Sequence, residues 1–460
     1  MSPIPVIAIF DVGKTNKKLF LFDENYKIVF ERSARFIETV DEDGFPCENL
    51  ESLRQSVFDS LNEVSKLKEF EVKAVNFSAY GASLVYLDEN GKSLTPLYNY
   101  LKPYPEEISK QLYAKYDGQE QFSLQTASPL LGSLNSGLQL YRLKQEKPEL
   151  FKKVKYALHL PQYLSSLLTG QYYSDLTSIG CHTALWDFEK NEYHEWVSNE
   201  GIAPKLAPII ESDKALPVVL NDMHYKVGVG LHDSSAALIP YLVSFSEPFV
   251  LLSTGTWCIS LNPFDNSPLT VDELQMDCLC YIQYKGKPVK ASRLFSGFEY
   301  DQQVKRIAEH FNQDFIKYRN IDFDGKIVEG LRKNQTKEDM LADLKQSEFQ
   351  YRDLAAFKND TEAYYQLMVY LIGLQVISTG LVLSNTKAKR IFVDGGFSKN
   401  SVYMHLLAVS FPGNEVYSAS MPQASALGAA LCIHKEWNPR PIPKDVIQLN
   451  YYPAVRDIHL

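Results

Sequence analysis

Four short stretches of this chain put carboxylates, hydroxyls and glycines where a phosphorylated ligand could be handled. The first is Asp11-Val-Gly13-Lys14-Thr15. A glycine at a hairpin tip lets backbone N–H groups approach phosphate oxygens with no Cβ in the way. Thr15 adds a hydroxyl, and Asp11 at the strand end can hold a hydrated Mg²⁺. Lys14 either reaches a phosphate or points to solvent, and solvent is the preferred reading. A plain hairpin turn is the bland alternative for the whole pentapeptide. A Walker A loop is excluded, because its first glycine would fall at Ala8. The second stretch, Ser253-Thr-Gly255-Thr256-Trp257, repeats the layout of strand, glycine bend, hydroxyl and strand. Two such bends, one in each half, could grip a polyphosphate from opposite walls of a cleft.

The third stretch is Val227-Gly-Val-Gly-Leu-His232-Asp233-Ser-Ser-Ala-Ala237. A dinucleotide fingerprint fails there, because the third glycine position is Asp233. A carboxylate at the end of a buried strand, before small residues suited to a helix start, is well placed as a general base. An N-cap aspartate fits the same pattern. The fourth stretch is Phe392-Val-Asp-Gly395-Gly396-Phe-Ser-Lys-Asn400. Two glycines between strand and helix let backbone lie flat against a ligand, and a helix N-terminus favours anions. An ordinary strand-to-helix turn is the competing reading. The small residues of 421–430 fit a helix packed tightly on a sheet. His194-Glu195 is not a zinc-protease motif, since position 198 is Ser198.

The elements that must hold these residues follow from the apolar pattern. Strands are expected over Ile4–Phe10, Leu19–Phe22, Lys27–Phe36, Val72–Phe77, Leu84–Leu87, Val154–Leu160 and Val227–Leu231. Leu50, Leu53, Val57, Leu61 and Val64 recur at helical spacing, and Gly170 is placed to stop a helix over Gln162–Thr169. A second series begins with strands Phe249–Thr254 and Trp257–Leu261. It continues through a long helix over Thr361–Asn385, strands Arg390–Val393 and Glu415–Tyr417, and a helix over Ala424–His434. The order β-β-β-α-β-α-β is played twice with a break near Ser244–Pro248. That predicts two α/β domains, 1–245 and 246–460, with a cleft between them.

Composition narrows the function classes. Over 460 residues, 47 Lys+Arg against 56 Asp+Glu give a net charge of −9. No long basic block is present, which argues against a nucleic acid or anionic membrane partner. The six cysteines form no C-x-x-C pair and read as buried or incidental thiols. The N-terminal apolar run lacks a basic leader and is broken by Asp11, so it reads as a strand rather than a signal peptide. The most apolar stretch, Met368–Leu383, reads as too short and too polar to span a bilayer. The expected compartment is the cytoplasm.

Taken in order, these motifs resemble the FGGY family of carbohydrate kinases, in the actin/hexokinase-like superfamily. The resemblance covers most of the chain and is weakest over 265–350. Asp11-Val-Gly-Lys-Thr sits at the family's first phosphate motif, Gly255-Thr256 at the second, and Gly395-Gly396 with Asn400 at the adenosine motif. His232-Asp233 matches the segment carrying the catalytic aspartate. Ser78-Ala-Tyr80-Gly81-Ala-Ser83 through Pro96 looks like the sugar-site strand and turn. Ser-Thr-Gly-Thr-Trp257 is most similar to the rhamnulokinase and fuculokinase branch. Three positions depart from it: Gly81-Ala82-Ser83 lacks an acidic residue that branch carries, Tyr98-Asn99-Tyr100-Leu-Lys102 replaces its acidic and Arg residues, and Lys14 is unusual.

The resemblance implies an α/β fold of two RNase H-like, actin-like ATPase domains, each a mixed sheet flanked by helices. It implies ATP and Mg²⁺ as cofactors, a small-molecule sugar substrate and a possible homodimer. Asp233 would be the base, Asp11 the metal residue, and Tyr80, Gly81, Ser83, His232 and Asp233 the sugar site. Gly13, Lys14, Thr15, Gly255, Thr256, Gly395, Gly396 and Asn400 would hold the nucleotide. The acceptor would be a ketose or deoxyketose such as L-rhamnulose or L-fuculose. Alternatives are a xylulose- or glycerol-like acceptor, a nonenzymatic ATP switch on the same scaffold, or a sugar-binding regulator without catalysis.

Overall fold

The structure, a computed structural model, describes residues 2–14, 16–34, 38–220, 223–330, 348–421 and 423–454. Thr15, expected at the first phosphate motif, lies outside the described residues. The apolar runs of the first half form strands β1 (Ile4–Val12), β2 (Lys17–Asp23), β3 (Ile28–Ala34), β4 (Phe70–Ala79), β5 (Ala215–Leu220), β6 (Met223–Gly228) and β7 (Leu231–His232). They make one seven-stranded sheet in the order β5-β6-β4-β1-β2-β3, with β7 pairing β4. β1 is antiparallel to β2 and parallel to β4, and Asp11 stands beside Ser78 in that parallel register. The single strand expected over Val227–Leu231 is two strands, interrupted at Gly230, which has φ +88. A Cβ there would meet the Pro161 backbone at 2.5 Å, so only glycine fits the break.

The second half repeats the plan. Strands β8 (Phe249–Thr254), β9 (Cys258–Asn262), β10 (Cys278–Ile282), β11 (Pro288–Leu294), β12 (Arg390–Gly395), β13 (Glu415–Ser420) and β14 (Gln448–Tyr452) pair in the order β10-β11-β9-β8-β12-β13-β14. Here too the first strand, β8, is antiparallel to the next, β9, and parallel to a later one, β12. Trp257, expected to begin the return strand, instead sits in the bend before Cys258. The hairpin β10–β11 lies where no element was expected; its strands, the buried Cys278–Ile282 and Pro288–Leu294, are joined by a turn through Gly286 at φ +77.

Helices cover the sheets with the residues their spacing dictates. Helix α1 (Leu50–Val64) buries Leu50, Leu53, Val57, Leu61 and Val64 against Val6, Ala8 and Leu21. Its N-cap Asn49 accepts a bond from the Ser52 N–H, so the first turn starts where the periodicity starts. Helix α2 (Leu160–Thr169) ends at Gly170, in the left-handed conformation. Helix α3 (Asp233–Ser244), α4 (Ser296–His310), α5 (Asp360–Leu383), α6 (Ser401–Ser410) and α7 (Ala424–Cys432) follow. Helix α5 is 24 residues, long and apolar enough by composition to cross a membrane, which corrects the shorter span expected. It is instead a core helix, with Tyr364, Leu367, Met368 and Leu371 fully buried among Leu252, Ile391 and Val393.

Two helices are exchanged between the halves. Helix α7, from the end of the chain, packs on the first sheet: Ala426, Ala429 and Ala430 meet Ile7, Ile9 and Phe20. Helix α3, from the first half, sends Leu238 and Tyr241 into the core of the second sheet beside Phe249 and Phe392. The two cross so closely that a Cβ on Gly428 would lie 1.8 Å from the Ala236 carbonyl oxygen. The small residues of α7 thus allow close helix contact. The crossing with α3 joins the two sheets just behind Asp233.

Candidate active site

The β4–β7 register brings the first cluster together. Leu231 pairs with Ser78 and His232 with Ala79, so β7 delivers Asp233 to the end of β4, the strand between it and β1. Asp233 is the first residue of α3; the N-cap is His232, so the capping alternative does not describe it. Its carboxylate accepts from the Ser234 N–H at 2.6 Å and lies 3.2 Å from His232 Nε2. Asp11 faces the same space from β1, and Ser425 at the start of α7 donates to both of its oxygens at 3.0 Å. Both carboxyl groups are pushed up to about 6, chiefly by burial; at Asp11 the Ser425 bond opposes that rise and the Asp233 charge adds to it. Among the described residues no lysine or arginine is ion-paired with either.

His232 is held neutral. Burial lowers it to about 3. Its Nε2 also lies 3.0 Å from the buried Cys181 Sγ, while Nδ1 is buried without a partner among the described residues. Gly81 permits this packing, because a Cβ there would come 2.5 Å from the His232 ring. Tyr281 of β10 stacks on the other side of His232, ring centroids 5.7 Å apart, so the second half also closes this cluster.

Beside Gly81, Tyr80 donates its hydroxyl to Glu48 at 2.9 Å, and its ring meets that of Tyr100 edge-on at 5.7 Å. Tyr100 is near enough to Asp233 and Glu48 that both charges raise its phenol, after burial. Lys14 does not point to open solvent. Its Nζ lies 3.4 Å from Glu48 Oε1 and 6.0 Å from both tyrosine ring centres, with 23% of the side chain exposed. The carboxylate of Glu48 draws it inward across the hairpin. Ser83 is buried, and its hydroxyl donates to the Tyr98 carbonyl at 3.0 Å. Ser83 therefore fixes the segment that presents Tyr100 rather than offering a free donor.

The second cluster is built from backbone. Thr254, ending β8, accepts the Gly396 N–H at its carbonyl (2.8 Å) and the Phe397 N–H at its hydroxyl (3.0 Å). Gly395 has φ +88, and a Cβ on it would sit 1.9 Å from the Thr254 oxygen. On the other side, a Cβ on Gly297 would sit 1.8 Å from the Gly255 oxygen, and Phe298 N–H donates to Thr256 O at 3.1 Å. Gly255, Thr256, Gly395, Gly396 and Gly297 therefore form one compact cradle at the ends of β8, β11 and β12. Asn400 stands behind it rather than on its surface. It is buried, its Oδ1 caps α6 at the Tyr403 N–H, and its Nδ2 donates to Tyr364 at 2.8 Å.

Helix α3 connects the clusters. Asp233 opens it, and eight residues on, about 12 Å along the axis, the Tyr241 phenol feels the charge of Asp394 beside Gly395. The described residues of the two clusters thus lie at the ends of the two sheets, Asn400 behind them. Glu48, Tyr100, Gly297 and Ser425 were missed. The Ser-Gly pair after Leu294 repeats the strand-to-glycine pattern and could have disclosed Gly297. Nothing local marks Ser425, which meets Asp11 from 414 positions away.

The donor set suits Mg²⁺. Asp11 is a hard oxygen ligand without an ion-paired cation among the described residues, with Ser425 beside it. No group of three or more His, Cys, Asp or Glu side chains gathers among the described residues. An ion would therefore be bound largely by water and phosphate oxygens.

Comparison with known proteins agrees with this architecture. Residues 6–239 match the model for the FGGY family of carbohydrate kinases, N-terminal domain, and residues 246–441 that for the carbohydrate kinase FGGY C-terminal domain. Rhamnulokinase of Halalkalibacterium halodurans is 25% identical over 260 residues, covering 54% of each chain. L-fuculokinase of Salmonella typhi is 25% identical over 294 residues, covering 61% of this chain and 59% of its own. The match thus spans little more than half the length of these curated relatives. Among solved structures, a carbohydrate kinase from Novosphingobium aromaticivorans superposes with TM-score 0.78 at 22% identity, covering 98% of this chain and 97% of that one. A ligand-bound xylulose kinase from Lactobacillus acidophilus gives 0.75 at 17%, covering 98% and 94%. Plasmodium falciparum glycerol kinase with ADP gives 0.75 at 16%, covering 95% and 90%. With both halves matched in order, and the fold shared over nearly its whole length, the chain belongs to the FGGY family of carbohydrate kinases.

Proposed function

We infer that this chain is an ATP-dependent kinase acting on a hydroxyl of a small sugar. The observation that carries the reading is the position of Asp233. A strand-end carboxylate, without a paired cation among the described residues, lies close to a second one, Asp11, at the start of a helix that leads to the glycine cradle. Names of relatives favour a ketose or deoxyketose such as L-rhamnulose or L-fuculose; xylulose, gluconate and glycerol are named for structural neighbours.

In this reading residues 1–245 hold the sugar and the base, and 246–460 hold the nucleotide. Tyr80, Gly81 and His232 line the acceptor site, and Asp233 takes the proton of the attacking hydroxyl. The hydroxyl oxygen bonds to the γ-phosphorus as the bridging bond to the β-phosphate breaks. ADP leaves with that bond's electrons. The Gly13 and Gly255–Thr256 bends donate N–H and O–H bonds to the phosphates, and Gly395 and Gly396 lie against the adenosine. Asp11 would hold Mg²⁺ through water, and that ion would screen phosphate charge. Closure of the two halves on the sugar excludes water and suppresses futile hydrolysis.

The test is ADP release across a panel of ketoses, deoxyketoses and polyols, with and without Mg²⁺. Release is expected to require both acceptor and Mg²⁺. Asp233→Asn is expected to retain ATP binding and lose about two decades or more of turnover. Acceptor-independent ADP release would point to a nucleotide switch instead, and near-normal turnover in Asp233→Asn would remove that residue from the chemistry.

A further inference from the structure

His182 stands at the edge of the first cluster without a part in the mechanism above. It follows Cys181, whose thiol meets His232, and its backbone is left-handed, with φ +37. Glycine would hold that conformation at no cost, so an imidazole kept there points to use of the side chain. Two bonds fix it in place. The His182 carbonyl accepts from Asn135 Nδ2 at 2.7 Å, and the ring Nδ1 lies 3.2 Å from the Leu134 carbonyl oxygen. A carbonyl oxygen only accepts, so Nδ1 carries the proton and donates. Burial, then the nearby His232 and Arg293, lower the ring to about 3 and keep it neutral. The other ring nitrogen, Nε2, is therefore a lone-pair acceptor, and it forms no hydrogen bond to another residue among the described residues.

Two other histidines lowered by burial differ. His159 is buried with its Nε2 2.9 Å from the Ser136 hydroxyl, and His194 uses Nε2 on Gln125 and Nδ1 on the Trp196 N–H. Both serve the scaffold. His182 is only half-buried, and its ring meets those of His232 and Tyr281 edge-on, with centroids 6.4 and 6.1 Å away. His232 Nε2 in turn lies 3.2 Å from the Asp233 carboxylate. His182 and Asp233 thus flank the same imidazole. His232 itself has no acceptor to offer a ligand, because Nε2 faces Cys181 and Asp233 and Nδ1 is enclosed.

We propose that His182 is a specificity-determining residue of the acceptor site, its Nε2 accepting a hydrogen bond from a second hydroxyl of the sugar while Asp233 receives the first. The proposal rests on the kinase reading above and adds a requirement to the substrate class. The acceptor must present two proton-bearing oxygens to this wall, one to a carboxylate and one to an imidazole lone pair. A keto or ether oxygen at the second place carries no proton and would set lone pair against lone pair. A carbon-bound hydrogen there would leave Nε2 unbonded once closure excludes water. Because the sugar must satisfy both groups at once, His182 also selects which hydroxyl faces Asp233.

The full-length protein is assayed for ADP release with L-rhamnulose, L-fuculose, xylulose, gluconate and glycerol, and the acceptor with the greatest kcat/KM is compared with its monodeoxy analogues. One deoxy position besides the phosphorylated hydroxyl is expected to lower kcat/KM by about ten- to hundredfold, the scale of one hydrogen bond lost at an enclosed acceptor. His182→Phe keeps a ring without an acceptor. It is expected to raise the KM for the parent sugar by a similar factor, to leave the KM for ATP unchanged, and to bring the deoxy ratio at that one position close to one. His182→Gly, free at φ +37, is expected to do the same where the bulkier variant fails to fold, with thermal unfolding checking each. His182→Asn tolerates the left-handed backbone, carries an amide oxygen and is expected to restore part of the ratio. Undiminished discrimination at every position in His182→Phe and His182→Gly would overturn the proposal and leave the kinase reading standing. A fall in kcat with the acceptor KM and the deoxy ratios unchanged would overturn it too, by giving His182 only a supporting place behind His232. Absence of acceptor-dependent ADP release with all five compounds would remove the kinase reading, and the proposal with it.

Discussion

The bend after β1 and the bend after β8 occupy the same place in two sheets of the same pairing pattern. Each follows a strand that is antiparallel to its successor and parallel to a later strand. Two residues before the glycine, one chain position holds Asp11 and the other Ser253; one residue after it stand Lys14 and Thr256. The first bend is surrounded by charge: Asp11, Asp233, Lys14, Glu48 and Lys17. The second is packed by backbone, with Gly297 and Gly395 pressed against its carbonyls, and its nearest charges, Asp394 and Arg293, stand at its flanks. A common scaffold thus yields two devices. One is electrostatic and suits proton transfer and cation binding. The other is steric and suits a ligand that must lie flat on peptide groups.

The steric device can be broken without touching a charge, and this carries the largest effect. Gly395→Ala forces a Cβ onto the Thr254 carbonyl at 1.9 Å and a side chain into a conformation with φ +88. The cost is expected to be roughly 2–5 kcal/mol, from backbone strain and overpacking together. Gly255→Ala meets nothing closer than 3.8 Å. Thermal unfolding should show a marked loss for the first and little change for the second, whose defect would appear in ATP affinity. Equal unfolding temperatures for both would show that the cradle is not close-packed.

The electrostatic device has a pH signature. Asp11 and Asp233 both stand near 6, raised by burial, so below that pH they are protonated and, in the proposed mechanism, no base remains to take the proton. Because the two interact, they titrate as a pair. The rate kcat/KM is expected to rise through pH 5–7 and then level. For stability the sign is opposite. A folded pKa above the unfolded value of 3.8 favours the fold fully only below 3.8, and that contribution is lost as pH rises through about 6. Asp11→Asn should therefore gain thermal stability over the parent at pH 8 and not at pH 4. A flat rate profile across pH 5–7 would remove these carboxylates from the chemistry.

The same contrast explains what could be read from the sequence. Strand and helix spacing is local, so α1 and the central strands emerge from the apolar pattern alone. Three of the cradle's glycines, Gly255, Gly395 and Gly396, also stood out, because each follows a strand where backbone must come close; Gly297, two residues after Phe295, did not. Charge partnerships are different. Glu48 lies on a three-residue strand, and Ser425 reaches Asp11 from the far end of the chain. Neither has a periodicity to betray it. Lys14 read as solvent-facing because its anion was invisible until the fold placed it there. The exchange of α3 and α7 between sheets is likewise long-range, although their alanines and glycine already pointed to tight packing.

Asn400 offers the finest test, with the smallest expected effect. The motif placed it on the adenosine, yet its amide is used at both ends inside the protein, on the Tyr403 N–H and the Tyr364 hydroxyl. If it belongs to the scaffold behind the steric device, Asn400→Ala removes a helix cap and costs about 1 kcal/mol of stability. ATP affinity would then fall only as far as the cradle loosens, by a few-fold. Asn400→Asp keeps the capping oxygen but gives up the donor to Tyr364, so it should recover much of the stability. A variant with unchanged unfolding and an ATP affinity lowered tenfold or more would instead return Asn400 to the nucleotide surface. The second bend would then bind through a side chain as well as through backbone, and the contrast with the first would narrow.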